Sequence, residues 1–234
     1  MYFSIPRLKL QPFFQKNLNF YINFCKVLKI VIRICLSHHI WWWDGRECPM
    51  IQDRKIDLAL EAKELAEGSA AQTTRLAGVK AQEDTVFGYP LTRVEILNRE
   101  GEAALGKPKG TYLTLELPQL PREREEVLRA ARGVAAVLEA LPTLPKQGSV
   151  LVAGLGNRRV TPDAIGPRAT DFLLVTRHLV QTMPQDFSAL RPVSALAAGV
   201  TGTTGIESGE LIGAVVKKLK PACLIAVDAL AARR

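Results

Sequence analysis

Cysteine is scarce in this 234-residue chain: there are four, and three of them (Cys25, Cys35, Cys48) fall within the first fifty residues. Only Cys223 remains in the body, inside an apolar run. That distribution argues against a disulfide framework and for a reducing compartment. Histidine is scarcer still in the body, where His178 stands alone. No His/Cys group has metal-ligand spacing, so no zinc site is expected. A Gly-x-Ser-x-Gly elbow is missing too, which leaves a Ser–His nucleophile without local support. Long uninterrupted apolar runs are also absent. The most membrane-like segment, "FYINFCKVLKIVIRICL", is broken by Lys26, Lys29 and Arg33 and falls short of the ~18–20 residues a span requires. No small-residue cleavage site follows a clean apolar stretch, as a signal peptide would need.

What is present is unevenly spread. Residues 1–50 hold seven Lys/Arg against two acids, and ten of the fifteen aromatics, including Trp41, Trp42 and Trp43. Residues 51–234 hold 24 basic and 21 acidic side chains. The formal net charge of +8 is therefore mostly a property of the N-terminal stretch, and the body carries no nucleic-acid signature. Composition switches at Met50. Residues 1–49 are accordingly expected to be an extension outside the domain, from a misassigned upstream start, with an interfacial basic amphipathic helix as the alternative. Residues 50–234 are expected to form one α/β domain.

Along the body, "DLALEAKELAEG" reads as a short helix closed by Gly68, and residues 69–90 as a loop or irregular link. "TRVEIL" and "TYLTLEL" alternate like half-buried strands. "PREREEVLRAARGVAAVLEAL" predicts a helix with Val127, Leu128, Ala131, Val134, Ala135, Leu138 and Leu141 on its apolar face. "SVLVAGLG" is a continuous apolar run suited to a central parallel strand. A helix over roughly 162–182 and a link follow. Then comes a helix with Leu211, Ile212, Val215, Val216 and Leu219 on one face, and a second buried run, "ACLIAVDALA". The grammar is α/β with a mostly parallel sheet. One or two central strands make a thin sheet, and the domain is expected to be incomplete at its C-terminus.

In open α/β sheets, chemistry gathers beyond the carboxyl ends of the strands. Asp163 follows the first apolar run and Asp228 closes the second, "LIAVD". Each has an ordinary reading. Thr161-Pro162-Asp163 suits a helix start, with a hydroxyl cap, a proline in the first turn and an acid facing the helix dipole. Asp228 can be a satisfied structural acid. Together they are candidates for a pair of carboxylates that share a proton and activate water. Glu207 is a candidate third acid, or half of a capping box with Thr204. Asn157 is a candidate supporting residue. "GLGN" as a phosphate loop lacks the third glycine of the dinucleotide fingerprint, because position 159 is Arg.

The stretches "DLALEAKELA", "TRVEIL", "GTYLTLEL", "GLGNRRVTPDAIGPRA", "LLVTRHL", "RPVSALAAGVTGTTGIESGELI" and "PACLIAVDALAAR" stand in the order found in the germination proteases of spore-forming bacteria, which residues 55–233 resemble. The resemblance implies an atypical aspartic endopeptidase that degrades small acid-soluble spore proteins in the cytoplasm of the forespore or spore core. It implies catalytic roles for Asp163 and Asp228, without a cofactor or metal and without nucleic-acid or membrane partners. It further implies a zymogen, a homotetramer when full length, and a three-layer α/β sandwich similar to the hydrogenase maturation proteases. The last likeness makes a metal-binding maturation-type protease the alternative, with metal held by Asp163, Asp228 and Glu207; an inactive fragment is another. Two departures stand out. Residues 1–49 do not resemble the family's short polar propeptide, and "RKIDLAL" replaces the family's Arg-Thr-Asp pattern at the processing region.

Overall fold

The computed structural model describes residues 28–31, 33–36, 59, 76–117, 123–141 and 145–230. They form two four-stranded sheets. The first, in the order β1-β5-β4-β3, joins β1 (Leu28–Val31), β3 (Val79–Val86), β4 (Tyr89–Ile96) and β5 (Gly110–Leu117), antiparallel throughout. The second has the order β2-β8-β6-β7. In it β6 (Val150–Leu155) lies parallel to both β7 (Val193–Gly199) and β8 (Cys223–Val227), and β2 (Arg33–Leu36) pairs antiparallel on the outside of β8. An α/β chain with a parallel sheet is therefore what forms, but an antiparallel sheet of equal strand number stands beside it. Residues 28–31 and 33–36 are extended, so the interfacial helix considered for this stretch does not hold there.

The antiparallel sheet begins where the sequence reads as a link. β3 and β4 are joined by Phe87 and Gly88 alone, both with positive φ (51° and 82°), the signature of a two-residue hairpin turn whose twist matches the strands. β3 escapes notice because "VKAQEDTV" is an edge strand with a largely exposed face. Helix α1 (Arg99–Leu105) starts at Asn98, whose Oδ1 accepts from the Gly101 N–H at 3.0 Å, and ends on left-handed Gly106. Its Leu105 packs with Ala59, Val94 and Ile96. Ala59 is the one described residue of the helix expected over 57–68; the rest of that helix lies outside the described residues.

Helix α2 (Arg124–Glu139) forms as its periodicity requires, and Val134, Leu138 and the following Leu141 of the expected face join the core, but the buried stripe is rotated from the one expected. Ala130, Gly133 and Val137 are buried, while Ala131 and Ala135 are exposed. Gly133 explains the rotation. A β-carbon there would already stand 3.3 Å from Leu115 Cδ2 and 3.6 Å from Tyr89 Cδ2, so the side without a side chain admits the sheet most closely. Hydropathy counts glycine as neutral and therefore misplaces this stripe.

The parallel sheet is covered on both faces. Leu151, Ala153 and Ala198 pack with Ile212 and Val216 of α7 (Ser208–Leu219), and Val150, Val152 and Cys223 pack with Leu173 and Ile225. The single helix expected over 162–182 is three pieces instead. They are a 3-10 turn (Thr161–Asp163), α3 (Ile165–Asp171) and α4 (Arg177–Thr182). The break has a tertiary cause: buried Thr176 leaves helical geometry, donating its N–H to Val193 O at 3.0 Å and accepting the Val193 N–H on Oγ1 at 2.9 Å. A short helix α5 (Pro184–Phe187) then leads into β7, a strand that the sequence reading passes over as link. Leu151, 1 % exposed at the centre of this core, is the residue whose loss the fold should feel most. Leu151→Ala is expected to destabilise the chain by about 2–5 kcal/mol, measured as a fall in the urea unfolding midpoint at unchanged slope.

Candidate active site at the strand ends

Because β6, β7 and β8 are parallel neighbours, the segments that follow them emerge at one rim. β6 leads to Gly156 and Asn157, β7 to Val200, the short helix α6 (Thr201–Thr204) and the loop before α7, and β8 directly to Asp228. Gly154 of β6 pairs with Val227, the residue before Asp228, and Leu155 pairs with Gly199. Both candidate acids and Glu207 therefore belong to loops at the same edge of the sheet, although 65 residues separate Asp163 from Asp228.

Asp163 reaches that rim by a tight return of the chain. Asn157 to Val160 form a turn closed by the Val160 N–H to Asn157 O at 3.0 Å, and Asp163 N–H bonds Val160 O at 2.9 Å. The carboxylate then folds back: its Oδ2 accepts the Asn157 N–H at 2.6 Å. Gly156, at φ 106°, makes the return possible, since a β-carbon on it would stand 2.1 Å from Asp163 O and 2.8 Å from Asp163 Oδ1. Two further glycines press α3 onto the strand ends. A β-carbon on Gly154 would lie 2.2 Å from Gly166 O, and one on Gly166 would lie 2.2 Å from Leu155 O and 2.3 Å from Val227 O. Backbone meets backbone at this joint, and no side chain fits between.

The helix-start reading holds in part: Pro162 and Asp163 stand in the first turn of the 3-10 helix, but its cap is Val160 rather than Thr161, and neither this turn nor α3 has a side-chain cap bond. The Asp163 carboxylate serves the Asn157 amide, the donor that a phosphate loop would have to offer a ligand. The phosphate-loop reading of "GLGN" fails on the same bond. Asn157 donates its backbone N–H to Asp163, and its side-chain Oδ1 accepts the Arg159 N–H at 2.9 Å.

Asp228 is exposed, and its Oδ1 accepts the N–H of Ala229 at 2.8 Å. Glu207 does not form the expected capping box. It is itself the N-cap residue of α7 with no side-chain cap bond, and its Oε1 accepts from Thr201 Oγ1 at 2.9 Å. Thr204 Oγ1 is engaged with Val200 O and Ile206. Among the described residues, no three His, Cys, Asp or Glu side chains gather closely enough to hold a metal ion. His178 is exposed on α4. Cys223 is a buried free thiol.

One ion pair escapes any reading of spacing. Arg158 grips Asp171 with both terminal nitrogens, the second at 2.9 Å, and also donates to Pro167 O at 3.2 Å. It ties the loop after β6 to the end of α3. Thirteen residues of separation leave no periodic signal for it. The hydrogen-bonded guanidinium holds the Asp171 carboxyl below its ordinary range.

The acids thus lie at the carboxyl rim of a parallel α/β sheet, the place where such sheets gather their ligand-binding and functional groups. The germination protease family profile matches residues 59–234. The chain is 44 % identical over 182 residues to the germination protease of Caldanaerobacter subterraneus, covering 77 % of this chain and 55 % of that one. Germination proteases of Clostridium perfringens and Priestia megaterium are 43 % and 42 % identical, over 77 % and 76 % of this chain and 56 % and 50 % of theirs. This chain belongs to the germination protease family, and it spans about half the length of the curated relatives it matches. No helix among the described residues is long and apolar enough to cross a membrane.

Two outcomes test the geometry of the rim. Gly156→Ala forces a β-carbon into Asp163 at an unfavourable φ and is expected to destabilise by about 1–3 kcal/mol, read from thermal unfolding. Asp171, with its carboxyl lowered in the folded state, contributes stability that is complete above the ordinary carboxylate value of 3.8 and is lost as pH falls through the lowered folded value. The difference in urea midpoint between the parent and Asp171→Asn is therefore expected at pH 7 and should vanish toward pH 2.

Proposed function

We propose that this chain carries the catalytic acids of an endopeptidase that begins the degradation of small acid-soluble spore proteins during germination, with water activated between Asp163 and Asp228. The observation that carries the proposal is the delivery of Asp163 and Asp228 to one rim by the adjacent parallel strands β6 and β8. In this reading Asp163 is the ionised partner. An ionised carboxylate only accepts hydrogen bonds, which suits the Asn157 N–H on Oδ2 and leaves the other oxygen for a water proton. Asp163 takes that proton as the water oxygen attacks the peptide carbonyl carbon. Asp228, protonated, supports the carbonyl oxygen and then supplies the proton that the departing amine needs. Asn157 holds the base in place, and Glu207, engaged with Thr201, supports the loop beyond β7.

The same reading takes residues 50–234 as the family domain, in keeping with a family match that begins at residue 59, and 1–49 as an extension that lends β1 and β2 to the outer sides of β5 and β8. It also takes in a three-layer arrangement like that of the hydrogenase maturation proteases, a zymogen stage, assembly as a homotetramer in the full-length enzyme, and residence in the spore core.

The test is incubation of the complete gene product with a purified small acid-soluble spore protein, with and without a chelator. Specific cleavage that persists in the chelator is expected. Asp163→Asn and Asp228→Asn should each lower kcat by about 10²–10⁴-fold with little change in unfolding temperature. Cleavage that stops in the chelator would move the reading to the metal-dependent alternative, and normal cleavage by either variant would remove the pair.

A further inference from the structure

β7 is the outermost strand of the parallel sheet among the described residues, and past Val193 no described strand pairs with its outer edge. The Val150 N–H bonds Pro192 O across the β6–β7 ladder, so Pro192 and its even-numbered successors face β6. Val193 faces the other way, exchanging bonds with Thr176 on the outside. Strand alternation then turns the N–H and C=O of Ala195 and Ala197 outward as well. Ala197 is exposed and Ala195 half-buried.

The edge lacks the devices that normally protect one. Edge strands are blunted by charge, proline or bulges that turn them away. "VSALAAG" has no charged residue and no proline, whereas the open edge strand of the other sheet, β3, carries Lys80, Glu83 and Asp84. The one irregularity of β7 lies opposite Gly154 and Leu155, beyond Ala197. Two alanines leave little side-chain bulk beside the outward groups. Exposed aliphatic residues bracket the run: Leu174 and Val175 just before Thr176 at its start, and Ile206 beyond Gly199 at its end. Gly199 pairs with Leu155 on the inner side, so β7 ends at the rim that holds Gly156 and Asp163, with β6 and then β8 as the next strands across.

We propose that the outer edge of β7 receives the protein substrate as an added β-strand, the backbone of an extended segment pairing with Ala195 and Ala197 and continuing past Gly199 to the aspartates. This rests on the peptidase reading above. Main-chain pairing of this kind supplies affinity that depends little on side chains, and the uncharged edge sets no charge requirement on the segment it takes. It also presents a peptide bond in extended form, with no helix left to obstruct attack.

The test uses the Asp163→Asn form of the full-length chain, so that substrate is retained, with a small acid-soluble spore protein as the probe. Amide hydrogen exchange is followed residue by residue by NMR. Saturating substrate is expected to slow exchange at Ala195 and Ala197 by at least about 10-fold while Ser194 and Leu196, already bonded to β6, change little. In the otherwise unaltered enzyme, Ala197→Pro removes one outward donor and leaves the inner ladder intact, and should raise KM several-fold with kcat nearly unchanged. Unprotected alanines in the presence of bound substrate overturn the proposal, as does an unchanged KM. So does protection that rises with protein concentration alone, which means a second copy on the edge. Should the proline variant fail to fold, the exchange measurement decides. Cleavage by the unaltered enzyme with no protection in the Asp163→Asn form refutes the docking edge and spares the peptidase; protection in that form with no cleavage by the unaltered enzyme does the reverse.

Discussion

The site depends on the contact of bare backbone where α3 crosses the ends of β6 and β8. Gly154, Gly156 and Gly166 occupy the three positions at which a β-carbon would strike main-chain atoms of the opposing segment between 2.1 and 2.3 Å away. Close approach without side chains has two effects. It allows the chain leaving β6 to turn back within a few residues, so that Asp163 comes to lie on its own strand end. It also seats the start of α3 against Val227, the last residue before Asp228. The acids share a rim because the helix is permitted to sit this low.

Polar bonds then hold what the glycines allow. The Asn157 amide fixes the Asp163 carboxylate, and Arg158, the next residue, clamps the same loop to Asp171 and Pro167 O. Exposed ion pairs contribute little stability on average. The value of this one lies in joining the two ends of the segment that carries Asp163. On the far side of the rim, Ser208 Oγ bonds Gly199 O at 2.8 Å and Glu207 bonds Thr201, so the loop after β7 is also tied down. In the proposed reaction a peptide bond would meet prearranged groups on each side, which is how oriented groups lower a barrier.

Much of this was legible in the amino-acid order, and the exceptions have physical causes. β6 and β8 announce themselves as unbroken apolar runs, and an acid just past such a run in α/β grammar points to the carboxyl rim. α7 keeps its predicted stripe, with Ile212 and Val216 buried. β7 hides because alanine and glycine dominate it and carry little strand signal. β3 hides because its exposed edge is polar, and the break before α4 hides because Thr176 obeys Val193, seventeen residues away. The place of Asp163 was half legible: Pro162 and Asp163 do stand in a first turn, as "TPD" suggests, but the cap there is Val160 rather than Thr161, and the bond from the Asn157 amide to the carboxylate leaves no signal in the spacing.

The central claim is that the two carboxyl groups act as one unit on one water. A double-mutant comparison of cleavage rates addresses it most directly, with Asp163→Asn, Asp228→Asn and the two combined. Groups that share one chemical step are strongly non-additive. The account therefore requires the double variant to be about as slow as the slower single one. Rate losses that simply multiply would mean that the two acids work independently, and would contradict it.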